Sequence, residues 1–248
     1  MTTVSSQLDK YLRDDDLTPS LASGATRATV LLVGCGTLGG LLFTIVYMWE
    51  GLTRFGYDTV AEPISALSLG AGGWLQRVNF ITFGILFAVS ALGWRRLLLR
   101  GASSVSLPVT RAVVGIGLVV DGIMSQDAVK GFPIGVATAQ PSLHGTIHDV
   151  AASVVILGLA VSSFLLARRL WTDPDLHAWA LWSAIAGLLT IVFISAFGMS
   201  GGSGGLAGIF ERMSGAVNSL FGLAILIRLI GFIGRTKSMH ERSGQTRS

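Results

Sequence analysis

Residues 28–49 read ATVLLVGCGTLGGLLFTIVYMW and contain no charged side chain. A helix of ~20 apolar residues spans the ~30 Å hydrocarbon core of a bilayer, so this run is long enough to cross it. Its last residues include Tyr47 and Trp49, aromatic side chains of the kind that is enriched at membrane interfaces. The stretch therefore predicts a first transmembrane helix.

Five further runs of similar length and composition follow along the chain. We predict transmembrane helices at residues 74–99, 109–126, 142–166, 177–197 and 208–232. The 248 residues are 51% hydrophobic and only 13% charged, whereas soluble domains carry ~25% charged residues. The composition excludes an ordinary soluble protein and predicts an all-α fold, a polytopic membrane protein built as a six-transmembrane-helix bundle.

The basic residues predict how the bundle is oriented. Fourteen of the 18 Lys and Arg residues fall in the N-terminal tail, in the loops after the second and fourth helices, and at the C-terminus. The remaining four are Arg54, Arg77, Lys130 and Arg212. Because cytoplasmic loops carry the excess of Lys and Arg, both termini are expected in the cytoplasm. The strongest anchor is the short loop with Arg95, Arg96, Arg100 and Arg111.

The chain divides into three predicted segments. Residues 1–26 are a polar cytoplasmic tail, residues 27–234 the transmembrane domain, and residues 235–248 a basic cytoplasmic tail. The expected location is the bacterial cytoplasmic (inner) membrane, crossed several times. Since the basic residues lie between apolar runs and form no contiguous basic arm, the lipid bilayer is an expected partner and nucleic acid is not.

Polar side chains within the predicted spans gather toward the outer half of the bundle. A charged group at membrane depth costs ~2.5–3.5 kcal/mol on insertion scales, so each one needs a partner or a wet cavity. The residues concerned are Asn79, Asp121, His144, His148, Asp149, Glu211, Arg212 and Asn218. The predicted inner halves carry far fewer, which indicates an outward-facing polar pocket.

Two histidines suggest a metal site. His144 and His148 are four residues apart and so share one helix face, a spacing at which two imidazoles hold zinc. A third ligand would have to come from Asp121, Asp127 or Glu62. No His-Glu-x-x-His pattern is present, and structural or pH-responsive histidines, or a proton relay, are the alternatives.

Asp121 has a structural and a functional interpretation. It could pair with Arg212 or hydrogen-bond to Asn79 as a packing device. Alternatively it could be a protonatable group in a transport path. A serine hydrolase would combine Ser65, His148 and Asp121, but the chain lacks a nucleophile-elbow motif at Ser65.

Three short motifs are spread along the chain. The first runs from Tyr57-Asp58 through Glu62-Pro63-Ile64-Ser65-Ala66-Leu67 to Asn79 and Gly84. The others are Gly131-Phe132-Pro133 with Leu143-His144-Gly145, and Gly208-Ile209-Phe210-Glu211-Arg212-Met213. These motifs resemble the bacterial membrane family known as domain of unknown function 998, and the resemblance covers roughly residues 30–232.

The resemblance implies a six-helix bundle, distantly similar to membrane proteins of the Frag1 and DRAM type, with no established activity. The positions that it carries over are Glu62, Ser65, Asn79, His144, Glu211 and Arg212. The chain departs from the family pattern at residues 136–139, which are rich in alanine, and at His148.

Three functions are compatible with the sequence. The first is binding of a lipid or small solute in an outward-facing pocket formed by the six positions above together with Asp121 and His148. The second is a metal-dependent membrane hydrolase with zinc held by His144, His148 and Asp121. The third is a proton-coupled transporter, which would require polar groups along both halves of the bundle.

Overall fold

The computed structural model describes residues 26–99, 101–136 and 140–245, with side chains as far as residue 231. This part of the chain contains six long α-helices, two short 3₁₀ helices and no β-strand. The α-helices are α1 (Arg27–Thr53), α2 (Gly73–Leu97), α3 (Ser106–Ile123), α4 (Leu143–Leu170), α5 (His177–Met199) and α6 (Ala207–Gln245). The 3₁₀ helices are Ile64–Ser68 and Pro174–Leu176.

Among the described residues, six helices are long and apolar enough to cross a membrane, which confirms the predicted fold class. Their outward faces carry large exposed aliphatic side chains, as expected for surfaces that meet lipid. Examples are Leu31 on α1, Ile85 on α2, Ile116 on α3, Leu157 on α4, Leu188 on α5 and Ile227 on α6.

The observed helix ends differ from the predicted ones mainly at α3 and α6. α3 begins at Ser106, three residues before the predicted start at 109. Arg111, which the count of basic residues assigns to the preceding loop, therefore lies in the second turn of this helix. α6 continues past the predicted end at 232 to Gln245. Apart from Thr26, the predicted N-terminal tail lies outside the described residues, as do residues 246–248 of the C-terminal one.

The helices form a closed ring. Each helix packs on the next one in the chain, and α6 returns to pack on α1. α2 and α3 cross closely, and a Cβ atom on Gly84 would lie 2.6 Å from the carbonyl oxygen of Gly115. Glycine at both positions therefore allows the two backbones to touch.

Residues 54–72, here called the cap, connect α1 to α2 and include the 3₁₀ helix Ile64–Ser68. The cap helix is buried and belongs to an apolar cluster at one end of the ring, here called the cap end, with Tyr47, Phe80 and Phe132. A second cluster, built around Trp94 and other side chains, fills the opposite end, where α1 begins. A central cavity lies between the two clusters.

Candidate functional site

The six helices and the cap enclose this central cavity, which has a volume of about 170 Å³. Engineered apolar cavities of ~150 Å³ hold a molecule the size of benzene. A chain of four phenylalanine rings lines the wall, with neighbouring centroids 5.0 to 5.5 Å apart: Phe80, Phe43, Phe83 and Phe87. The polar lining residues include Ser65, Asp121, His148 and Glu211 at the cap end and Arg111 in the other half.

Asp121 and His148 are a buried pair at the cap end of the cavity. His148 Nδ1 lies 2.8 Å from the Met124 carbonyl oxygen and 3.7 Å from Asp121 Oδ1. Because a carbonyl oxygen only accepts hydrogen bonds, Nδ1 carries a hydrogen and donates it to Met124. Asp121 Oδ1 has no hydrogen-bond partner among the described residues. The pair therefore presents an unsatisfied carboxylate oxygen inside the bundle.

Neither Asn79 nor Arg212, the two partners predicted for Asp121, makes a hydrogen bond to it. The Asn79 side-chain amide donates to the Phe43 carbonyl oxygen at 3.1 Å and to Gln76 Oε1 at 3.0 Å. Arg212 is engaged with the cap. Asp121 has His148 as its nearest charged or chargeable partner in the described part of the chain.

Arg212 ties the cap to α6. Its Nη1 donates to the carbonyl oxygens of Glu62, at 3.1 Å, and Gly208, at 2.9 Å. Its Nη2 donates to the Tyr57 hydroxyl at 2.6 Å. The single hydrogen of that hydroxyl is shared between the carbonyl oxygens of Glu62 and Pro63, at 3.1 and 2.9 Å. A buried guanidinium thus binds one carbonyl oxygen and one hydroxyl of the cap and one carbonyl oxygen of its own helix.

Glu211 adds a second tie, because its carboxylate accepts from the Ile64 backbone N–H at 2.6 Å. We call Tyr57, Glu62, Ile64, Glu211 and Arg212 the clasp. Burial raises the pKa of the Tyr57 hydroxyl and of the Glu62 carboxyl above their usual values. The clasp consists largely of the positions that carry the family resemblance, and its direct role is to hold the cap in place.

Ser65 lies in the cavity wall without a general base. Its hydroxyl donates to the side-chain oxygen of Gln126, which is buried in the loop between α3 and α4. In a serine hydrolase this hydroxyl would instead face a histidine. The contact therefore supports a structural link between the cap and the next loop.

The candidate metal ligands are spread over several places. His144 is exposed at the start of α4, whereas His148 is buried inside the ring. Asp127 accepts from the backbone N–H and the hydroxyl of Ser142, at 2.8 and 2.6 Å, and these bonds lower the pKa of its carboxyl. Among the described residues, no group of three His, Cys, Asp or Glu side chains is placed to hold a metal ion.

Arg111 is the cavity residue that sequence reasoning missed, because it was assigned to a loop. Its guanidinium carbon lies 4.1 Å from the ring centroid of Phe87 and 5.4 Å from that of Trp94. Its Nε and Nη2 donate to Ser90 Oγ at 3.4 and 3.3 Å. A Cβ atom on Gly36 would lie 3.1 Å from Nη2, so the glycine makes room for the cation.

The comparison with protein families agrees with this architecture. The family described as "Protein of unknown function (DUF998)" matches residues 37–228. The match begins in α1, ends in α6, and includes the cap, the clasp and most of the cavity wall. No curated protein and no solved structure matches the chain. Because the match covers well over half of the sequence, the chain belongs to the DUF998 family, as its motifs predicted.

Proposed function

We propose that this multi-pass membrane protein binds a lipid or small solute in its central cavity. The observation that carries the proposal is the cavity itself, which all six helices line and whose walls combine phenylalanine rings with polar ends. Binding sites for small molecules are typically concave and mostly apolar, with a few polar groups that orient the ligand. The unsatisfied Asp121 oxygen is one such group.

The proposed site includes only half of the eight residues that the sequence predicted for the pocket. Ser65, Asp121, His148 and Glu211 line the cavity. Four other predicted residues do not line it. Asn79 donates to the Phe43 carbonyl oxygen and to Gln76, and His144 is exposed. Glu62 and Arg212 belong to the clasp. Glu62 and Arg212 act on the ligand only indirectly, by holding the cap over the site.

Filling the cavity tests the proposal. Gly215 lies in the cavity wall, and no atom lies within 4 Å of a Cβ placed there, so Gly215→Leu projects into open space. Gly231 is also on α6 and equally unobstructed, but it is exposed on the outside of the bundle, which makes Gly231→Leu a matched control.

The readout is native mass spectrometry of each protein ejected from lipid nanodiscs. A bound lipid or solute should remain with the wild-type protein and with Gly231→Leu, and should be lost from Gly215→Leu. Equal retention in all three proteins, or no retained molecule in the wild type, would overturn the proposal.

The orientation is part of the same proposal. The basic residues near the termini favour cytoplasmic ends in a bacterial inner membrane, with the cap on the outside. In a Cys35→Ser background, a cysteine replacing exposed Lys130 should react with a membrane-impermeant maleimide in intact cells. A cysteine replacing exposed Ser106, at the other end of the bundle, should react only after lysis. The reverse pattern would invert the topology.

A proton-coupled transporter is the second candidate. Arg111 places a charged group in the half of the bundle that the sequence predicted to be nearly free of them, while Asp121 and His148 occupy the cap end. Asp121→Asn should then abolish substrate-dependent acidification of proteoliposomes loaded with a pH-sensitive dye. A metal-dependent hydrolase receives no comparable support from the described residues.

A further inference from the structure

We infer that the cavity half around Arg111 is a binding site for one anionic group, a carboxylate or a phosphate, carried by an amphipathic ligand. The inference rests on the proposed function, since it names the chemistry of the ligand that the central cavity receives. It assigns the anion to Arg111, Trp94 and Ser162, none of which the family motifs include.

Arg111 is a cation without a counter-ion. In the described part of the chain no carboxylate lies within ion-pairing distance of it. Its guanidinium approaches Gly36, nine residues after the start of α1, which is about 13 Å along a helix with 1.5 Å rise per residue. That depth approaches the middle of a ~30 Å hydrocarbon layer, where an uncompensated charge is costly.

The contacts that Arg111 does make hold it in place without neutralising it. Its Nε and Nη2 both donate to Ser90 Oγ, and the Phe87 ring lies against the guanidinium face. The remaining nitrogen, Nη1, donates to no described residue, although Arg111 lines the cavity. The side chain is therefore pre-oriented with a free donor toward the ligand space.

Two further donors at this end of the cavity also lack acceptors. The indole N–H of Trp94 and the hydroxyl of Ser162 are buried, and each has no hydrogen-bond partner among the described residues. Both side chains line the cavity, and Ser162 lies one turn beyond Gly158, which packs against Thr110 and Val114 of α3. A cluster with donors and a positive charge but no carboxylate matches an anion that accepts several hydrogen bonds.

The rest of the cavity indicates what the anion is attached to. The aromatic wall runs from Phe87, beside Arg111, through Phe83 and Phe43 to Phe80 near the cap end. Such a wall favours an acyl chain or another apolar body over water. An amphiphile would therefore place its charged group on Arg111 and its apolar part along the phenylalanines.

The test compares ligands of equal chain length. Radiolabelled decanoate, decyl phosphate and decanol are equilibrated with the protein in nanodiscs, and empty nanodiscs correct for partition into lipid. Inorganic phosphate is offered separately as a competitor, which distinguishes a free anion from an amphiphile. The test variants are Arg111→Gln and Arg111→Lys. The control is Arg228→Gln, which removes a different cation from the bundle; the Arg228 guanidinium lies 4.9 Å from the Trp179 ring centroid.

The wild-type protein and Arg228→Gln should bind decanoate and decyl phosphate about tenfold or more tightly than decanol, with little competition from inorganic phosphate. Arg111→Gln should reduce the affinity for the anions to that for decanol and leave decanol binding unchanged, and Arg111→Lys should retain part of the preference. Equal binding of decanoate and decanol by the wild-type protein would overturn the anion site while leaving the cavity function intact. Binding of none of the three amphiphiles, or binding that Gly215→Leu does not reduce, would overturn the cavity function as well.

Discussion

Replacing Gly208 with alanine is expected to destabilise the protein, whereas the same replacement at Gly215, two turns further along α6, should stabilise it. A Cβ atom on Gly208 would lie 2.4 Å from the Glu62 carbonyl oxygen and 2.6 Å from that of Thr59, about 1 Å closer than ordinary contact at 3.4–4 Å. The cap backbone must therefore move away from α6. Overpacking of this kind costs ~1–3 kcal/mol.

The displacement also weakens the clasp. The Arg212 Nη1 that donates to Glu62 at 3.1 Å would itself lie 2.8 Å from the new Cβ atom. Hydrogen bonds to a charged group contribute ~1.5–3 kcal/mol, so the expected loss in the free energy of unfolding is about 2.5–6 kcal/mol in total. At Gly215 the Cβ atom meets nothing within 4 Å, and alanine should add up to ~1 kcal/mol of helix propensity.

The assay is the thermal midpoint of the purified protein in detergent, followed by tryptophan fluorescence. Gly208→Ala should melt below the wild-type protein and Gly215→Ala at or above it. Because the two variants carry the same chemical change on the same helix, detergent effects and general helix propensity cancel in the comparison. A midpoint for Gly208→Ala at or above the wild-type value would refute the seating of the cap on α6.

Three other perturbations have expected outcomes. Gly36→Ala places a Cβ atom 2.6 Å from Ser90 Oγ, so it should lower the thermal midpoint by an amount that corresponds to ~1–3 kcal/mol and also reduce the preference for decanoate over decanol. Tyr57→Phe removes the hydroxyl that accepts from Arg212 at 2.6 Å and should cost ~1–3 kcal/mol in the same melting assay; an unchanged midpoint would contradict the clasp. The hydrogen bonds with Ser142 lower the pKa of the Asp127 carboxyl from the usual 3.8. The stability that these bonds contribute is therefore complete above about pH 4 and is lost as the pH falls through the lowered pKa. Asp127→Asn should flatten that part of the profile of midpoint against pH, and a profile as steep as that of the wild type would count against the Asp127–Ser142 bonds.

Hydropathy locates the six helices because a bilayer requires ~20 consecutive residues with few charges, and such runs are conspicuous in any sequence. The count of basic residues nevertheless assigns Arg111 to the loop, although it lies inside the predicted run at 109–126, because a charge near the end of an apolar run usually belongs to the loop. What makes the position tolerable is the ring faces of Phe87 and Trp94, together with the space left by Gly36. Those residues come from two other helices, so no local sequence pattern around Arg111 predicts these contacts.

The polar residues of the site also include some that the sequence indicates and some contacts that it does not. Asp121, His148 and Glu211 are noticeable in the sequence because ionisable residues inside apolar runs are rare, and the structure places all three on the cavity. The partners of Arg212 have no such signature. They are mainly backbone carbonyl oxygens, which every residue carries, and only the folded cap determines which ones face α6.

The clasp has a consequence for how the protein is made. Arg212 and the Glu62 carbonyl that it binds are 150 positions apart, so ribosomes deliver the cap to the membrane long before its cationic partner exists. Until α6 is synthesised and inserted, the Glu62 carbonyl oxygen lacks its bond from Arg212 and the Ile64 backbone N–H lacks its bond to Glu211. A nascent chain that terminates before α6 should therefore remain open at the cap end and become a substrate for membrane quality-control proteases. Completion of the last helix is thus the step that commits the whole ring to its final shape.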